Sequence, residues 1–277
     1  MKLSEMRLLL AERNIRLTKS LGQNFLHDAN QLRRIAAAAD LQSGDRVLEI
    51  GPGLGPLTAL LLQQAVRVVA IETDARLVVI LRERFGETAN LELIHADALS
   101  YLRTAERDWA AWKLVSNLPY SIASPLLVDF AQMPAGPGRI TATLQLEVAQ
   151  RLMAVTGNDA FGILSLLVQV RYTPVDLFRI PASCFFPAPD VDSACITLTR
   201  RPVPLLDQFE VATFTQLVKL AFSQRRKMMI KVLKSKWALD DLQRAFAGLG
   251  ISPQARAEHL ALDQYVALTK TLGSDAG

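Results

Sequence analysis

Four short stretches hold the residues whose types and spacing could do chemistry. Leu48-Glu49-Ile50-Gly51-Pro52-Gly53-Leu54-Gly55 sets glycines at 51, 53 and 55. Glycines there let the backbone turn sharply and come close to a ligand. Glu72 follows 21 residues after Gly51, and a carboxylate at that offset can accept both hydroxyls of a ribose. Asp97, in His95-Ala96-Asp97-Ala98-Leu99, can accept from the exocyclic amine of an adenine. Asn117 opens Asn117-Leu118-Pro119-Tyr120, so an amide, a proline and a phenol ring directly follow the apolar run Trp112-Lys113-Leu114-Val115.

The spacing narrows the ligand. A dinucleotide loop needs glycine at its first, third and sixth positions, and Pro56 stands in the sixth place here. That disfavours pyrophosphate. The chain has no GxxxxGK[ST], so it has no P-loop. A glycine turn alone is also compatible with a purely structural role. Its company changes the reading, because Gly51, Glu72, Asp97 and Asn117 each close a candidate strand. Ligands of open α/β sheets bind outside the carboxyl ends of the strands. A ribose and an adenine without a pyrophosphate point to S-adenosylmethionine.

The strands that would position these residues are 46–50, 67–71, 91–95, 112–116 and 139–146, with helices between them such as 56–65 and 75–85. Several are nearly continuous apolar runs, as expected where helices cover both faces of a sheet. The alternation predicts a doubly wound parallel α/β sheet of the Rossmann-like kind. Before it, residues 1–44 read as helical with a break at Leu21-Gly22-Gln23-Asn24, after which Asp28 can cap a helix carrying Leu32, Ile35, Ala36 and Ala39. After it, 147–156 and 161–170 read as helices. Strands at 172–180 and 193–199 flank the proline-rich Pro181-to-Ser193 stretch. The run Arg200-Arg201-Pro202-Val203-Pro204 reads as a linker, and 208–222, 223–236, 239–249 and 262–272 have helical spacing. Two domains are therefore expected, 1–200 and a small all-helical 201–277.

Composition bounds the partners. The 277 residues are half hydrophobic, with a net charge of +4. Residues 201–277 hold 11 Lys/Arg and 7 Asp/Glu, so residues 1–200 hold 20 of each and the whole excess lies in the tail. Residues 223–236, Ser-Gln-Arg-Arg-Lys-Met-Met-Ile-Lys-Val-Leu-Lys-Ser-Lys, carry six basic residues and no acid. Such a run is either a solvated helix face or a phosphate-facing patch. Cys184 and Cys195 read as free thiols of a reducing cytoplasm, and three scattered histidines give no support to a metal site. No apolar stretch is long enough to span a membrane, and the N-terminus lacks the pattern of a signal peptide.

Taken together, these motifs resemble the small-subunit ribosomal RNA adenine dimethyltransferases, the kasugamycin-sensitivity family. The likeness covers nearly the whole chain. It rests on KSLGQNFLHD (19–28), LEIGPGLGPLT (48–58), IETD (71–74), HADAL (95–99), NLPY (117–120), FFPAPDVDS (185–193) and AFSQRRK (221–227). It departs from the family at Leu146, where a lysine is usual, at Phe161, where a tyrosine is usual, and at Met228-Met229-Ile230, where a polar stretch is usual.

The resemblance implies a class I methyltransferase sheet with an N-terminal cofactor-covering segment and a helical RNA-binding domain. The implied reaction is dimethylation of N6 on two adjacent adenosines near the 3′ end of 16S rRNA, within an assembling small subunit, by a cytoplasmic monomer. Asn24, Leu26, Gly51, Gly53, Glu72, Asp97 and Asn117 would contact S-adenosylmethionine. The Asn117 side-chain oxygen and the Leu118 carbonyl would accept the two N6 hydrogens, Pro119 would fix the turn, and Tyr120 would stack on the base. Phe185 is the candidate for the opposite face, with a hydrophobic loop anchor as its alternative. Arg225, Arg226, Lys227, Lys231 and Lys234 would face the RNA. Two other functions compete: methylation of large-subunit rRNA, and a non-catalytic assembly or transcription factor on the same fold.

Overall fold

The structure is a computed structural model and describes residues 1–16 and 23–274. Lys19 to Gly22 of the KSLGQNFLHD motif lie outside the described residues. Along the chain run α1 (Leu3–Glu12), β1 (Phe25–Leu26), α2 (Ala29–Ala38), β2 (Arg46–Ile50), α3 (Pro56–Gln64), β3 (Arg67–Glu72), α4 (Ala75–Phe85), β4 (Leu91–His95), α5 (Ala98–Thr104), β5 (Trp112–Asn117) and α6 (Tyr120–Gln132). They are followed by β6 (Arg139–Gln145), α7 (Leu146–Met153), α8 (Ile163–Gln169), β7 (Tyr172–Ile180), β8 (Phe185–Phe186), β9 (Ser193–Arg200), α9 (Gln208–Phe222), α10 (Met229–Leu233), α11 (Leu239–Gly248) and α12 (Leu262–Ser274).

The backbone packs as two units. The first comprises Met1–Leu126, Ala135–Ala149 and Pro174–Arg200. The second comprises Leu127–Pro134, Gln150–Thr173 and Arg201–Gly277. The first holds a seven-stranded sheet in the order β4-β3-β2-β5-β6-β9-β7. β4, β3, β2, β5 and β6 are mutually parallel, whereas β9 runs antiparallel to β6. The five alternating strands are thus parallel, as the sequence pattern predicts, and β9 makes the whole sheet mixed. No long helical crossover separates β9 from the segments before it, so it enters the sheet from the opposite end.

Local chemistry starts the helices that frame the carboxyl end of the sheet. Gly55 adopts φ +76° and hands over to Pro56 at the first helical position of α3, where the missing N–H costs nothing. Asp28 caps α2 by accepting from the Asn30 and Gln31 amides, and Leu32, Ile35 and Ala36 face inward, as read from the sequence. Asp74 caps α4 and Asp97 caps α5. One apolar cluster gathers Leu32, Ile35, Val47, Leu61, Val68 and Val115 beneath the sheet. In the second unit, Phe214, Leu217, Met229, Leu233, Phe246 and Tyr265 form part of a separate core.

Three elements differ from their sequence pattern. The helix expected over 223–236 shrinks to Met229–Leu233, because Gln224 to Lys227 form turns. The two-residue strands β1 and β8 pair antiparallel, Phe25 with Phe186 and Leu26 with Phe185.

Candidate active site

The carboxyl ends of four parallel strands meet around one cavity of about 260 Å³, near the lower end of the roughly 300–1,000 Å³ of small-molecule sites. Asn24, Leu26, Gly51, Gly53, Glu72, Asp97, Asn117, Leu118, Pro119 and Tyr120 all line it. Backbone bonds beyond the strands fix this rim. Gly51 donates to the Ile71 carbonyl at 2.9 Å, Ala96 to Glu72 at 3.0 Å and Leu118 to Thr143 at 3.0 Å.

The glycine turn is packed from both sides. Gly51 and Gly53 hold φ +66° and +62°, a region L side chains rarely adopt. A Cβ on Gly51 would stand 3.0 Å from the Pro119 ring, and one on Gly53 would stand 2.7 Å from the Phe25 ring. The glycine turn, the Asn117–Tyr120 turn and β1 thus pack closely against one another.

Glu72 is buried, and its orientation is set by the backbone. Oε2 accepts from the Gly53 amide at 3.1 Å, and Oε1 accepts from Thr73 at 2.9 Å and Asp74 at 3.0 Å. Burial raises its carboxyl pKa, and these bonds oppose the rise. Asp97 is exposed, and the Ser100 backbone N–H holds its pKa below the ordinary carboxylate value. Glu49 also lines the cavity. It is fully buried, its Oε2 has no partner, and burial pushes its carboxyl up to about 8, helped by the Glu72 charge. The sequence reading assigned it no role, although a charge interrupting the apolar run of β2 was the available signal.

Asn117 has a defined amide orientation. Its Nδ2 donates to the Asn24 carbonyl at 3.1 Å, and only the amide nitrogen can do so. Oδ1 is therefore on the other side, buried and without a hydrogen-bond partner. A buried acceptor left unmatched costs about 1–3 kcal/mol, so a donor entering the cavity would gain by meeting it. Tyr120 is partly buried, with Oη 2.6 Å from Ser193 Oγ.

Phe185 does not line this cavity. Its side chain is 3% exposed and packs with Leu26, Leu32 and Ile180. The pairing with Leu26 turns the ring into the core, so its position here matches the loop-anchor alternative and not a stacking face. Arg225, Arg226, Lys227, Lys231 and Lys234 are all exposed in the second unit. Met229 and Ile230, where the family is usually polar, are buried, as is Phe161.

A family model described as ribosomal RNA adenine dimethylase matches residues 14–273. The chain belongs to that family. Among its relatives, the ribosomal RNA small subunit methyltransferase A of Gloeobacter violaceus is 43% identical over 258 residues, covering 92% of this chain and 93% of the relative. The protein of the same name in Moorella thermoacetica is 36% identical over 274 residues, covering 95% of each. A dimethyladenosine transferase from Plasmodium falciparum superposes with TM-score 0.75 at 25% identity, covering 88% of this chain and 95% of that one. The 23S rRNA methyltransferase ErmE does so with TM-score 0.69 at 30% identity, covering 90% and 100%.

As an rRNA adenine dimethylase, the protein is an S-adenosylmethionine-dependent methyltransferase on a class I sheet. The residues present fit that cofactor. A bare glycine turn, a buried carboxylate with three backbone donors and an acceptor position left on Oε2, and a buried amide oxygen without a partner converge on one cavity. No helix among the described residues is long and apolar enough to cross a membrane.

Proposed function

We propose that this dimethylase acts on two adjacent adenosines near the 3′ end of 16S rRNA, within the small subunit or its precursor, as a cytoplasmic monomer. The support for the small subunit is the name shared by relatives 36–43% identical over more than nine-tenths of the chain. Asn24, Leu26, Gly51, Gly53, Glu72, Asp97 and Asn117 hold the cofactor in this reading. When bound, S-adenosylmethionine supplies an activated methyl group on a sulfonium.

The chemistry asked of the chain is orientation. An adenine N6 is a poor nucleophile because its lone pair is delocalised into the ring. Asn117 Oδ1 accepts one N6 hydrogen and the Leu118 carbonyl accepts the other. Both acceptors stabilise the positive charge that grows on the nitrogen. Pro119, packed on Gly51, fixes the direction of the turn. The Tyr120 ring stacks on the base, worth about 1–3 kcal/mol. No general base is needed: holding the nitrogen in line can supply roughly 7–11 kcal/mol of barrier lowering, and the proton leaves to water. The target adenosine has to be extruded or single-stranded to enter. Arg225, Arg226, Lys227, Lys231 and Lys234 face RNA phosphates. In support, all five are exposed and, among the described residues, have no carboxylate partner.

The observation that carries this reading is the Asn117 amide, tied at its nitrogen and unmatched at its oxygen. Its test offers labelled S-adenosylmethionine to undermethylated small subunits and to large subunits, then maps the label by blocked primer extension. Two neighbouring stops near the 3′ end of 16S rRNA are expected. Label confined to the large subunit would instead favour the activity of the 23S rRNA relative.

A further inference from the structure

The backbone ladder between β2 and β5 ends at the pair Leu48 and Leu114. Beyond that point β2 turns into the glycine loop and β5 continues toward Asn117. Ser116 lies two residues past the last ladder pair and is fully buried. Its hydroxyl donates to the Ile50 carbonyl at 2.5 Å, the residue before Gly51. A side chain thus takes over where the ladder stops. On the other flank, Ser193 is fully buried at the end of the β6–β9 ladder, opposite Gln145. Its Oγ lies 2.6 Å from Tyr120 Oη.

We infer that Ser116 and Ser193 are positioning residues: their hydroxyls hold the Asn117–Tyr120 turn from its two sides and so set where its acceptors and its ring stand relative to the glycine turn. This rests on the function proposed above. Ser116 links the carbonyl before the cofactor turn to the residue before Asn117. Ser193 fixes the tip of the Tyr120 ring. Neither hydroxyl lines the cavity, so neither touches the reacting atoms.

The two methyl transfers respond differently to a loosened turn. The first has two N6 hydrogens to hold the base, and the second has one. Misplacement of the turn therefore slows the second transfer more and leaves monomethylated product. A serine that only stabilised the fold would change the amount of folded enzyme, but not the rate per folded molecule or the product ratio.

Single-turnover methylation of undermethylated small subunits by the full chain tests this, with nucleosides scored for N6-methyl- and N6,N6-dimethyladenosine. Ser116→Ala and Ser193→Ala are expected to lower the rate per folded molecule by about 10–100-fold, the scale of small misplacements. They should also raise the monomethyl share and leave S-adenosylmethionine affinity by calorimetry unchanged. Ser116→Thr, which keeps a hydroxyl, should recover part of the rate. Wild-type rate and product ratio in both alanine variants would overturn the inference, as would a loss that tracks only the folded fraction by circular dichroism. A wild-type chain that makes no dimethyladenosine would overturn the proposed function instead, and this inference with it.

Discussion

The rim of the sheet and the basic segment of the helical unit present their polar groups by opposite means. At the rim, the polar groups are oriented by the backbone before any ligand arrives: Glu72 by three amides, Asn117 by one carbonyl. In the segment from Arg225 to Lys234, the cations stand in solvent on a framework of buried Met229, Ile230, Val232 and Leu233. Preorganised dipoles serve a reaction whose charge appears at one atom. Exposed cations serve a partner whose charge is spread along a backbone and is felt through counterion release. The first arrangement depends on tenths of an ångström and the second on ionic strength.

The largest effect should come from breaking the rim. Asn117→Ala removes the unmatched oxygen and is expected to lower methyl transfer by about 10²–10³-fold, the usual loss for one preorganised group. Binding of the small subunit in a filter assay should persist. Near-wild-type turnover would show that the amide is not an acceptor in the reaction. A smaller effect is expected in the tail. Alanine at Arg225, Arg226 and Lys227 together should weaken particle binding by about tenfold at moderate salt. The slope of log affinity against log salt should become shallower by up to about three contacts' worth, with cofactor affinity unchanged. An unaltered slope would return the segment to a merely solvated helix end.

The smallest effect sharpens the contrast through pH. Glu49 has a folded pKa of about 8 against an ordinary value of 4.5. Below the lower value both folded and unfolded states hold the proton, and the group contributes nothing to pH dependence. Between the two values only the folded state holds it, so stability is lost as pH rises through that window. The melting temperature of the wild type should therefore fall more steeply from about pH 5 to pH 8 than that of Glu49→Gln. Parallel curves would mean that Glu49 is ionised in the folded protein.

The rim was legible because its residues sit at strand ends with fixed offsets, and a parallel sheet converts those offsets into neighbours. The Asp28 cap and the inward face of α2 were readable for the same reason, since one local period decides both. Long-range pairings were not readable. β1 and β8 are two residues each and exist only because segments about 160 residues apart meet, which leaves no periodicity to detect. That pairing also decides where Phe185 points. The serine tethers join residues 66 and 73 positions apart, and a serine near a strand end gives no hint of its partner. In the tail, the charge excess was plain, but Arg225 to Lys227 form turns where helical spacing suggested a continuous helix.

The carbonyl that orients the Asn117 amide belongs to the main chain of Asn24. Every amino acid at position 24 would present the same oxygen, so scanning mutagenesis, one side chain at a time, passes over it in silence. Only a lesion that displaces the strand itself, such as a one-residue deletion shortly before Phe25, would uncover what that atom contributes. A map of side-chain substitutions at position 24 would report only what that side chain does in the cavity, and would miss what its main chain does for Asn117.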